Sequence, residues 1–166
     1  RSEAYDYIKN NSLDDKVVMT YFKNQSLVQK FSQQDNDEWI WPGDYTADKD
    51  PNTNWTVTIV DYHGHRMSLS QIIPAQVYNQ TAYSIVAETT TDNSWVFFTE
   101  KIVKPILARR LFIVLGNQYY LQALRSLGFQ TFNDIIDESY DCAEFDRPRL
   151  AMEQLRWLCQ QPQADI

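Results

Sequence analysis

Hydrophobic and polar positions along this chain follow two periods. Ser2 opens a short helical pattern that runs through about residue 11, with Tyr5 and Ile8 on one face. Residues 16–22 (Lys-Val-Val-Met-Thr-Tyr-Phe) are rich in β-branched and aromatic side chains and predict a buried strand. Residues 23–54 are polar and loop-like and contain Pro42-Gly43, yet Trp39, Trp41 and the nearby Trp55 favour packing over disorder. Alternation returns over 55–60, a strand pattern, and Asp61-Tyr-His-Gly-His65 reads as a turn. The pattern over 70–78 is ambiguous; proline suits a first helical turn, which points to a short helix opening near Pro74.

From residue 84 the pattern sharpens. Residues 84–88 predict a strand ending on Glu88, Thr99 caps a helix to about residue 110, and residues 112–115 predict a strand ending at Gly116. Pro105 falls in the second turn of that helix, where it deletes a hydrogen bond, so a kink or a later helix start competes with the simple reading. Residues 119–127 predict a helix with Leu121, Leu124 and Leu127 along one face and Gly128 closing it. Residues 129–132 (Phe-Gln-Thr-Phe) suggest a fourth strand, and residues 137–141 an acidic loop. A last helix starts at Asp146 or Arg147 with Pro148 in its first turn, and Leu150, Leu155, Leu158 and Cys159 form its apolar stripe. Strands alternating with helices predict an α/β fold, Rossmann-like, with a mainly parallel sheet flanked by helices.

A length of 166 residues suits one domain spanning 1–166, and 43% hydrophobic residues with 5 Trp, 10 Tyr and 8 Phe suffice for a core. The net charge of −7 argues against nucleic-acid or anionic-membrane partners. No apolar run reaches the roughly 20 residues of a membrane helix, and the start lacks a signal-peptide core, so the expected location is cytoplasmic. The chain opens on Arg1 rather than Met, which suggests a piece of a longer protein.

Cys142 and Cys159 are too few and too far apart for a zinc site and read as reduced or buried thiols. His63 and His65 read as a solvated turn pair, since a metal site needs a further ligand. Asn10, Asn24, Asn54 and Asn79 match the glycosylation pattern, which matters only in a secreted chain. The acidic residues of 137–141 carry metal-binding or general-base chemistry as one reading and solvated capping carboxylates as the other.

Residues 84–116 carry the strongest chemical signal. The free N–H groups at the helix start, residues 99–102, are partially positive, and Lys101 adds a full charge there, against the macrodipole. A bound anion relieves that conflict, and a diphosphate is the natural candidate. Glu100 is placed to accept hydrogen bonds from ribose hydroxyls, and Glu88 stands at the carboxyl end of its strand, the ligand edge of open α/β sheets. Taken alone, Thr99-Glu100-Lys101 is also what a capped helix with a solvated charge pair looks like.

The segment resembles the donor-site motif of the α-1,3-fucosyltransferase family, in which Glu-Asn-Ser precedes Tyr-x-Thr-Glu-Lys-Ile/Leu, a helix and a strand ending in Gly. Glu88 matches the motif's Glu, Thr99-Glu100-Lys101-Ile102 its central tetrapeptide, and residues 113–116 its closing strand. Thr89-Thr90 replaces Asn-Ser, Phe97 stands where the family has Tyr, Arg109 where it has Gly, and Phe112 where it has Pro. Residues 127–132 and 136–141 are also similar to a tail of uncharacterised glycosyltransferase-like proteins of phages and marine microbes. The resemblance covers about residues 72–150. It implies one donor-binding half of a two-Rossmann-domain (GT-B) inverting glycosyltransferase, with Lys101 on the diphosphate and Glu100 on the ribose. It further implies a nucleotide-sugar donor such as GDP-fucose, a glycan or other hydroxyl acceptor, no bound metal or further cofactor, and a catalytic base in a missing N-terminal domain. The competing expectations are a non-catalytic nucleotide-sugar-binding module and a structural, virion-type domain of the same fold.

Overall fold

A computed structural model describes residues 2–17, 45–49, 56–62, 65–73, 75–89 and 95–162. The chain divides into two compact units, residues 18–77 and a larger one made of residues 1–17 and 78–166. In the smaller unit three strands, β1 (Tyr45–Lys49), β2 (Thr56–Tyr62) and β3 (His65–Ser68), form an antiparallel sheet in the order β1-β2-β3. Tyr45 pairs with Val60, and Tyr62 with His65. A 3-10 turn, Leu69–Gln71, follows β3, with the Ser68 N–H donating to Gln71 Oε1 at 2.9 Å. Helix α2 (Ala75–Gln80) then leads from the smaller unit to the larger.

The larger unit opens with α1 (Ser2–Asn10) and a 3-10 turn, Asp14–Lys16. Its centre is a strand-helix-strand unit: β4 (Tyr83–Ala87), α3 (Glu100–Leu107) and β5 (Leu111–Leu115). β4 and β5 are parallel, in register from Tyr83 with Leu111 to Ala87 with Leu115, and the Glu88 N–H extends the ladder to the Leu115 carbonyl at 3.0 Å. All five residues of β5 are buried. A strand of Leu-Phe-Ile-Val-Leu has no polar face to show water, so it sits under cover on both sides, as parallel strands do. Part of that cover is α5 (Arg147–Leu158), which packs on β5, on the 3-10 turn Glu138–Cys142 and on α1. Ala151, Met152, Leu155 and Leu158 form its buried stripe, while Leu150 lies half-buried beside it. Between β5 and the 3-10 turn lies α4 (Tyr120–Ser126), buried through Tyr120, Leu121 and Leu124. The Tyr140 hydroxyl accepts the Val114 N–H at 3.2 Å, so a side chain satisfies a backbone donor of β5.

The mixed helix-strand character, with a small parallel sheet flanked by helices, is that of an α/β fold. Several expectations change. The sheet of the smaller unit is antiparallel, so the strands are not mainly parallel among the described residues. β1 lies inside the stretch read as loop, and Asp61, Tyr62 and His65 belong to strands rather than to a turn. Lys16 ends a 3-10 turn instead of opening a strand; residues 18–22 lie outside the described residues, as do Pro74 and His63. Residues 129–132 form no strand, because the Phe132 N–H is taken at 2.7 Å by the Glu138 side chain and its ring stands edge-on to Phe112, 5.0 Å between centroids. Pro105 neither delays nor ends α3, which starts at Glu100 and contains it.

Three helices end by one device. After α1, α3 and α4 the chain turns left-handed at Ser12 (φ 53°), Arg109 (φ 53°) and Gly128 (φ 90°). Each of these N–H groups donates three residues back, and the following N–H reaches five residues back: Leu13 to Ile8, Arg110 to Pro105 and Phe129 to Leu124. This is the Schellman pattern, which satisfies carbonyls the helix leaves open. Glycine adopts that turn without a Cβ penalty; Arg109 does not. Arg109 is exposed, so Arg109→Gly should raise stability by about 0.5–1 kcal/mol in urea unfolding. A fall instead would mean that the arginine side chain contributes more than its backbone strain removes.

Candidate functional site

The four residues singled out by the sequence meet at the carboxyl ends of β4 and β5. Thr99 caps α3: its hydroxyl accepts the Lys101 N–H at 3.2 Å, as a Ser/Thr cap does. The same hydroxyl donates to Glu88 Oε2, and the Thr99 N–H points at Glu88 Oε1 at 3.4 Å. Glu88 is 4% exposed and also accepts the Tyr120 hydroxyl at 2.7 Å. Burial and the neighbouring Glu88 carboxyl push the Tyr120 phenol well above its ordinary pKa, so it stays a donor. One carboxyl group therefore joins β4, α3 and α4.

Lys101 curls back over this cap. Its Nζ donates to Thr89 Oγ1 at 3.1 Å and to Thr99 Oγ1 at 3.3 Å, with Glu100 at 3.5 Å and Glu88 at 4.0 Å. Its side chain keeps 27% exposure and Glu100 keeps 43%, so both stay within reach of a ligand. Lys104, one turn on, has its pKa lowered by burial, raised again by Glu100 and lowered by Lys101. The predicted conflict between a lysine and the helix dipole is thus already eased inside the chain: Glu88 supplies negative charge where the helix start is positive.

Gly116 has a close-approach role here. A Cβ on it would lie 2.9 Å from Tyr120 Cδ2 and 3.2 Å from Val114 Cγ1, so its bareness lets the Tyr120 ring cross the end of β5 and reach Glu88. Phe98 meets the same ring edge-on at 4.8 Å. The sequence pointed to Glu88 and Gly116 but missed Tyr120 and Thr89. Tyr120 lies 32 residues from Glu88, and no local spacing reports that contact.

The acidic segment is a 3-10 turn, not a solvated loop. Glu138 and Asp141 are buried. Glu138 accepts from Arg125 at 2.7 Å, the Thr131 hydroxyl at 2.8 Å and the Phe132 N–H at 2.7 Å. Asp141 accepts the N–H groups of Leu121 at 2.9 Å and Gln122 at 3.0 Å, capping α4 where Tyr119 makes no side-chain cap. Their oxygens serve internal donors, and among the described residues no three His, Cys, Asp or Glu side chains group to hold a metal. His65 is exposed in β3. Cys142 and Cys159 are free thiols, the latter accepting the Tyr83 hydroxyl at 3.2 Å.

Comparison with protein-family models, with curated proteins and with solved structures gave no match.

Two measurements probe this geometry. Glu88→Ala leaves the buried Tyr120 hydroxyl and the Thr99 donors without their acceptor and should cost about 2–3 kcal/mol in urea unfolding. A change under about 0.5 kcal/mol, typical of surface substitutions, would show that the cluster is not a structural anchor. Asp137 accepts the Ser139 N–H at 2.9 Å, and hydrogen bonds from the Ser139 backbone and side chain hold its carboxyl below the ordinary aspartate value of 3.8. A depressed pKa contributes stability above 3.8 that is lost as pH falls through the folded-state value. Asp137→Asn keeps an acceptor but no titration, so the stability gap between the two proteins should close as pH drops below 3.8. A gap independent of pH would contradict this.

Proposed function

We propose that this chain is the donor-binding half of a two-Rossmann-domain glycosyltransferase. It would transfer a sugar from a nucleotide-sugar, GDP-fucose by the motif's resemblance, to an acceptor hydroxyl with inversion. The observation that carries the reading is the Lys101 amine at the first turn of α3, beside the carboxyl ends of a parallel strand pair. That is where open α/β sheets take anionic ligands. Arg109 adds support: its backbone is left-handed at the position where the resembled family has Gly.

In this reading a diphosphate takes Lys101 Nζ from its hydroxyl partners, and the amine stabilises charge as the diphosphate leaves. Exposed Glu100 accepts ribose hydroxyls. Thr99 and Glu88 hold the helix start in place. The base that deprotonates the acceptor would come from the second Rossmann-like domain that the resembled family carries.

A second reading has its own support. Glu88 and Tyr120 are almost fully buried, and they fill the strand ends with the chain's own groups. In that case the motif is a structural lock in a virion-type domain of the same fold.

Calorimetric titration with GDP, UDP and their sugars separates the two. Donor binding predicts a measurable affinity for at least one nucleotide, reduced about 10–100-fold in Lys101→Ala by loss of one charge-assisted hydrogen bond. No binding at about 1 mM nucleotide would leave the structural lock.

A further inference from the structure

We draw no further inference here: the strongest candidate, the outer edge of β4, where the backbone groups of Tyr83, Ile85 and Ala87 face away from β5 and no described strand pairs with them, carries nothing because nothing in the structure shows what covers it.

Discussion

The buried carboxyl of Glu88 is the point on which the larger unit turns. A carboxylate taken out of water is costly unless donors surround it, and Glu88 has the Thr99 hydroxyl, the Tyr120 hydroxyl and a nearby Lys101 amine. Those donors come from the start of α3 and the first turn of α4, while Glu88 itself extends the β4–β5 ladder. The desolvation penalty therefore enforces a geometry: the two helices are placed so that the carboxyl is satisfied.

The same economy recurs in an acidic chain. Asp141 and Glu138 are buried and act as long-range caps, one for the α4 start and one for the backbone at Phe132. A local cap comes from the residue before the helix; here Tyr119 stands in that place and makes none. Negative charge that would otherwise only solvate the surface thus becomes internal wiring. The Schellman turns at Ser12, Arg109 and Gly128 complete the set by satisfying carbonyls at the other ends of helices.

This wiring bears on function through competition. Glu88 and an external anion would both answer the positive start of α3, and Lys101 is shared between them. Under the proposed donor reading a diphosphate at that edge would meet an amine already engaged by hydroxyls and flanked by two carboxylates, so selectivity for nucleotide would rest on contacts beyond charge.

Local pattern carried much of the order of elements. The run 111–115 is apolar throughout and became a buried strand; Thr99 stood one residue before a helix and capped it; Gly128 followed a leucine stripe and closed it. The misplaced segments are those where distant groups decide. Residues 129–132 have the composition of a strand, but Glu138 removes the N–H that a strand partner would need. β1 lies in a polar stretch and is held by ladder bonds to β2 that composition does not reveal. At the site, the sequence by itself determined which residues cluster at the α3 start, because capping and helix polarity depend on near neighbours. Only the tertiary structure decided that Glu88 is enclosed by Tyr120 and that Asp141 caps α4, because a buried carboxyl is satisfied by whichever donors the packing brings to it, however far along the chain.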